Sequence, residues 1–207
     1  MKKLKIDEEE EEIKVILVGE TATGKTSLIN TSVGLEFKDK TYSTQTSSIS
    51  KKKMTIKNKK YCINLWDTIG QEQFRSLTKL FMKDSKIVIF VYDITRFDTF
   101  EQIKEFWYEN TKSELGDEPV MGIVGNKEDL YFESEVSDDV VEKFIKENDL
   151  LFRLTSAKNP KNFNNFLEEL VKIYIKKSKN AKNEENDDTS LKLDYKNKKN
   201  TKKRSFC

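Results

Sequence analysis

The chain has 207 residues, 36% of them charged, with two prolines, two cysteines and no histidine. That length suits one domain with tails and a core that needs no disulfide or metal staple, and the lack of histidine excludes histidine-based triads and histidine-ligated zinc. A net charge of +2 is too small to argue for nucleic acid, and no nucleic-acid partner is expected.

Residues 1–12, with the run Glu8–Glu12, read as a solvated, disordered acidic arm. No apolar stretch precedes the run and residue 2 is lysine, so neither a secretory leader nor N-myristoylation is expected. The apolar run Ile13–Val18 predicts a strand, too short to cross a bilayer. Directly after it comes GETATGKT, which matches G-x-x-x-x-G-K-[ST] and leads into a helical stretch, Ser27–Ser32. Its glycines let backbone N–H groups wrap a phosphate, and the helix start adds positive potential. Gly19, Glu20, Thr21, Ala22, Thr23, Gly24, Lys25, Thr26 and Ser27 are therefore candidate nucleotide contacts. Lys25 would reach the β- and γ-phosphates, and the Thr26 hydroxyl would ligate Mg²⁺.

Further strands are predicted at Met54–Ile56, Tyr61–Trp66, Ile87–Tyr92, Val120–Val124 and Leu150–Leu154. Several are apolar on both faces, as buried parallel strands are. Helical spacing links Phe97, Phe100, Ile103, Phe106 and Trp107, and again Phe163, Phe166, Leu167, Leu170, Val171 and Tyr174; both stripes read as core. Cys62, in an apolar alternation, also reads as core. Strand–helix alternation predicts a doubly wound α/β sheet, whose ligands sit at the carboxyl ends of the strands. After the Tyr61–Trp66 strand stands DTIGQEQF. Asp67 there can hold Mg²⁺, the Gly70 N–H can meet a γ-phosphate and Gln71 can orient an attacking water. After Val120–Val124 stands GNKEDL, with Asn126, Lys127 and Asp129; after Leu150–Leu154 stands TSAK, with Ser156, Ala157 and Lys158. A carboxylate at Asp129 can accept from guanine N1–H and its 2-amino group, whereas adenine offers no donor at N1. Past Ile175 the apolar spacing stops, and residues 176–207 read as a disordered tail ending in KKRSFC.

Taken in order, GETATGKT, WDTIGQEQFRSL, VYDIT, GNKEDL and TSAK resemble the Ras superfamily and, within it, the Rab family, over about residues 13–175. The resemblance implies a small G domain of the P-loop NTPase type, with a mostly parallel six-stranded sheet and helices on both faces. It implies GTP/GDP and Mg²⁺ as ligands, hydrolysis of GTP with Gln71 and Lys25 as catalytic groups, and slow turnover without an activating protein. It places the guanine-stacking aromatic on Phe37 and the second Mg²⁺-binding hydroxyl on Thr44 rather than Thr46. It sets the Ser156 and Ala157 N–H groups against the guanine carbonyl.

The chain departs from the family at Thr21, where Ras proteins carry glycine, and at Ile69. The three positions that in Rabs hold effector-facing aromatics read Ile49, Trp66 and Leu80. Arg75 reads as a switch-surface residue, so no internal arginine finger is expected. The implied partners are an exchange factor, a GTPase-activating protein, effectors, a prenylation escort and a GDP-dissociation inhibitor. Cys207 is the expected lipidation site: one cysteine without a C-a-a-X box, behind a basic tail that would meet anionic membrane. The expected place is the cytoplasmic face of endomembranes, cycling with cytosol, in vesicle traffic. Two alternatives stay open: a pseudo-GTPase that binds GTP but scarcely hydrolyses it, and, disfavoured by the guanine motif, a P-loop nucleoside kinase.

Overall fold

A computed structural model describes residues 10–39, 47–68 and 80–202, with backbone alone from 182 onward. Among the described residues there is one six-stranded sheet: β1 (Glu11–Val18), β2 (Ser48–Ile56), β3 (Lys59–Asp67), β4 (Ile87–Asp93), β5 (Val120–Asn126) and β6 (Leu151–Thr155). Its order is β2-β3-β1-β4-β5-β6. The β2–β3 pairing is antiparallel and the rest are parallel. All seven residues of β4 are buried, which is why that segment is apolar on both faces. The edge strand β2 instead alternates between exposed and half-buried positions. Its Ser- and Lys-rich start therefore carried little apolar signal, and the strand begins six residues before the expected Met54.

Helices cover both faces. On one, α1 (Lys25–Ser32) and α5 (Lys161–Lys202) bury Leu28, Phe163, Phe166 and Leu170 against Val15, Leu17, Ile89 and Val91. On the other, α2 (Phe97–Gln102), a π-helical stretch (Ile103–Tyr108), α3 (Glu109–Leu115) and α4 (Asp138–Glu147) bury Phe100, Trp107 and Phe144 against Ile16, Val88 and Phe90. Helix α4 was not expected from the sequence. Its sequence did carry the signal: Val140, Val141, Phe144 and Ile145 stand at helical spacing and pack on the core, and Asp138 and Asp139 in the first turn and Lys146 in the last suit the helix dipole.

Two expectations about the chain ends change. Glu11 and Glu12 belong to β1, and the Glu10, Glu11 and Glu12 carboxylates pair with Lys53 (2.9 Å), Lys59 (2.6 Å) and Lys51 (3.2 Å). The arm thus ends by residue 10, where the backbone ladder of β1 with β3 begins at Glu11 and Tyr61 and lysines of β2 and β3 pair with its last glutamates. At the other end α5 continues to Lys202, where a structureless tail was expected. No glycine or proline interrupts residues 161–202, so the backbone has no breaker where the apolar stripe ends. Cys62 is buried, with its thiol near the Asn64 side chain (3.8 Å).

Candidate nucleotide site

The strand register gathers the motifs. Leu17 is level with Asp67, Asp93 with Asn126, and Asn126 with Thr155. Four strand ends thus deliver their polar residues to one edge of the sheet, next to the loop that follows β1. The chain leaves β1 toward β2 and β3 on one side and β4 toward β5 on the other, so the connections diverge there and open a crevice.

The loop after β1 is shaped by two glycines. Gly19 has φ +145°, and a Cβ there would sit 2.1 Å from the Val91 carbonyl oxygen. Gly24 has φ +93° and caps α1, and a Cβ there would meet the Asn126 amide at 2.2 Å. Only glycine lets the loop press against β4 and β5 in these conformations. The buried Lys25 ammonium donates to the carbonyls of Gly19 and Glu20, each at 2.8 Å. Burial pushes its pKa down to about 8, against the pull of Asp67 and Glu20. Thr23 donates to the Glu20 carbonyl (3.0 Å), and Ala22 takes a left-handed conformation, φ 65°.

Thr26 Oγ1 donates to Asp67 Oδ2 at 2.6 Å. Asp67 is 2% exposed, and its Oδ1 has no hydrogen-bond partner among the described residues. Burial raises its pKa, while the Thr26 hydroxyl and Lys25 oppose the rise. A buried carboxylate oxygen beside a hydroxyl, in an all-oxygen donor set, suits a hard cation such as Mg²⁺. Thr26 and Asp67 therefore fit the implied metal.

The base side is built by β5 and β6. Asn126 donates to the Thr23 carbonyl (2.8 Å) and accepts from Thr155 Oγ1 (3.4 Å), fastening the phosphate loop to both strands. Lys127, at φ +71°, pairs with the fully buried Asp93 at 2.5 Å. The opposite Asp93 oxygen accepts from the Thr95 N–H (3.0 Å) and hydroxyl (2.8 Å). Asp129 accepts from Ser156 Oγ (2.6 Å) and pairs with Lys158 (2.7 Å). Partial burial works against its charge, yet the bonds from Lys158 and Ser156 outweigh this and hold its carboxyl below the usual range. Lys158 also stands 5.9 Å from the centre of the Phe37 ring. Gly24, Phe37, Asn126, Asp129, Ser156 and Lys158 line one cleft of about 340 Å³, which Ser27 and Ala157 also border.

The structure thus brings Gly19 to Ser27, Phe37, Asp67, Asn126, Lys127, Asp129 and Ser156 to Lys158 to one edge. Thr44, Thr46, Ile69, Gly70, Gln71, Arg75 and Cys207 lie outside the described residues. Three partners at the site went unassigned in the sequence. Asp93 sits inside VYDIT, Arg96 donates to the Thr21 carbonyl (3.1 Å), and Trp107 donates to Glu20 Oε1 (3.0 Å). A polar residue closing a buried strand was the signal for Asp93; the other two had none. Ile49 and Leu80 are exposed at 50% and 73%, and Trp66, half-buried, lies under the Lys14 ammonium at 4.3 Å.

Comparison with known proteins agrees with this geometry. The model of the Ras family matches residues 14–176. The Ras-related protein Rab-21 of Bos taurus is 38% identical over 162 residues, 78% of this chain and 72% of that protein. Its Homo sapiens counterpart gives the same figures, and that of Mus musculus is 37% identical over the same span.

Proposed function

Since the chain belongs to the Ras family, and within it to the Rab group of small GTPases, we propose that it is a guanine-nucleotide switch that binds GTP and GDP with Mg²⁺, hydrolyses GTP and works in membrane traffic. The observation that carries this reading is one shared edge. The Lys25 and Thr26–Asp67 group and the Asp129–Ser156–Lys158 group flank a single crevice and are joined by the Asn126–Thr23 bond.

In this reading the loop of Gly19–Thr26 wraps the phosphates and Lys25 balances their charge. Thr26 and Asp67, with Thr44, hold the metal, which when bound neutralises charge on the β- and γ-phosphate oxygens. Asp129 selects guanine, Ser156 and Ala157 face its carbonyl, and Phe37 covers its ring. Gln71 orients the water that attacks the γ-phosphorus, and Gly70 with Thr44 reports the γ-phosphate to the two switch segments. An activating partner supplies the missing arginine, and an exchange factor resets the switch.

The G domain of this reading spans 13–175. Effectors dock where Ile49, Trp66 and Leu80 surface. The tail 176–207 carries a prenyl group on Cys207, served by an escort and a GDP-dissociation inhibitor, and places the protein on the cytoplasmic face of endomembranes. No described helix is long and apolar enough to cross a membrane.

Titration with GTP, GDP and ATP, followed by single-turnover phosphate release, tests the core of this proposal. Guanine-selective binding with release that falls sharply in Gln71→Leu supports it. Binding without release makes the chain a GTP-dependent binding module, and absence of guanine selectivity overturns the reading. Mass spectrometry of the native C-terminus, with fractionation of Cys207→Ser, tests the anchor separately.

A further inference from the structure

Glu20 puts a carboxylate inside the loop that receives the most highly charged part of the ligand. It is 8% exposed, and its Oε1 accepts from the indole N–H of Trp107, 87 residues away, at 3.0 Å. Trp107 is 1% exposed and lies within the π-helical stretch Ile103–Tyr108. Such stretches are rare and recur at functional sites. Beside it the Arg96 guanidinium donates to the Thr21 carbonyl (3.1 Å) and pairs with Asp98 (2.9 Å). The phosphate loop is therefore tied to the helical layer that packs on the other face of the sheet, through the residue whose carbonyl also accepts from Lys25. A packing role explains the indole ring, which belongs to the core under that layer. It does not explain why the polar edge of the ring is spent on an acidic side chain of the loop.

Resting on the guanine-nucleotide reading above, we infer that Trp107 is a positioning residue that fixes the Glu20 carboxylate against the helical layer. This keeps its negative charge from swinging toward the phosphates and sets the preference between triphosphate and diphosphate. A carboxylate that loses this bond and shifts toward the phosphates repels a bound polyphosphate. The repulsion grows with the charge of the ligand, so GTP suffers more than GDP. Both the hydrogen bond and the charge matter, and they can be separated. Trp107→Phe keeps an aromatic ring in the core and deletes the donor. Glu20→Gln keeps the shape and an acceptor oxygen and deletes the charge. Glu20→Asp keeps the charge and falls a methylene short of the indole.

The test is calorimetric titration of the full chain, stripped of nucleotide, with GDP and with the non-hydrolysable imido analogue of GTP in Mg²⁺. Melting temperatures are recorded for each variant. Trp107→Phe should weaken the analogue about tenfold and GDP about threefold. Glu20→Asp should shift the ratio in the same direction without touching the core. Glu20→Gln placed in the Trp107→Phe background should restore the wild-type ratio, even where the melting temperature stays low. Equal loss of both nucleotides, or no rescue by Glu20→Gln, overturns the inference and leaves Trp107 a core residue. A wild-type chain that binds neither nucleotide overturns this inference together with the reading beneath it.

Discussion

Lys158 and Asp129 meet at 2.7 Å across the mouth of the base cleft, with Ser156 holding the other Asp129 oxygen at 2.6 Å. The carboxylate is thus aimed by partners from the far side of the β5–β6 pair before any base arrives. Asp129→Asn should lose about two to four orders of magnitude in GTP affinity, since each of the two hydrogen bonds from guanine to the charged carboxylate contributes about 1.5–3 kcal/mol. It should gain xanthosine triphosphate, because the amide offers a donor to the extra carbonyl. Competition titration with the two nucleotides measures both, and retention of GTP affinity would place the base elsewhere.

Metal dependence should run through the Thr26–Asp67 contact. Thr26→Asn should weaken GTP by at least tenfold more than GDP. Chelation of Mg²⁺ should weaken GTP binding by the wild type but change little in Asp67→Ala. Fluorescent-nucleotide titrations with and without chelator give the four numbers. Equal weakening of both nucleotides would move the metal away from Thr26.

The two glycines of the phosphate loop should fail differently. Gly19→Ala drives a Cβ to 2.1 Å from a backbone oxygen of β4, which nothing nearby can yield without moving the strand. A loss of about 2–4 kcal/mol in stability is expected. Gly24→Ala meets the Asn126 side chain, which can swing away but then releases Thr23. Its melting temperature should fall less and its nucleotide affinity more. Denaturation and titration of the two variants side by side distinguish these outcomes.

Lys25 gives a pH signature in the nucleotide- and metal-free protein. Its folded pKa of about 8 lies below the ordinary 10.5. Below pH 8 the folded and unfolded states both hold the proton, and the folded state bears the full burial penalty. As pH rises from about 8 toward 10.5 the folded state releases the proton first, so stability from this group rises with pH. Lys25→Met lacks the penalty. Its stability advantage over the wild type should narrow by about 2 kcal/mol between pH 7.5 and 9.5. Phosphate affinity of the wild type should fall over the same window as the ammonium is lost. Urea titrations at the two pH values measure the first effect, and a gap that widens would exclude a depressed Lys25.

Much of this was legible from the residues. Buried parallel strands announce themselves as Val- and Ile-rich runs, and the motifs stand at or directly after their ends, so all six strands, β2 only in its last three residues, and the site-bearing loops were found in order. What stayed hidden depends on contacts between distant segments. Trp107 carries the same helical spacing as Phe100 and Ile103, and nothing in that spacing says its N–H meets Glu20. Edge strand β2 buries Ile56 alone, so its first residues imprint no strong period, whereas helix α4 carries helical spacing at Val140, Val141, Phe144 and Ile145 and was open to a reading from the sequence. The glutamates at 10–12 look like solvated charge until β2 and β3 bring lysines beside them.

The level alignment of Asp93, Asn126 and Thr155 on three adjacent parallel strands also decides where the chain can change length. Residues added to the connection between Leu115 and Val120, or between Glu147 and Leu151, lengthen loops at the opposite end of the sheet and leave the three side chains abreast. One residue removed from within β5 withdraws Asn126 from its neighbours and turns every following side chain of the strand to the wrong face. Over evolutionary time such proteins should therefore gather insertions and deletions at the amino-terminal ends of these strands, while the strands themselves keep a fixed count.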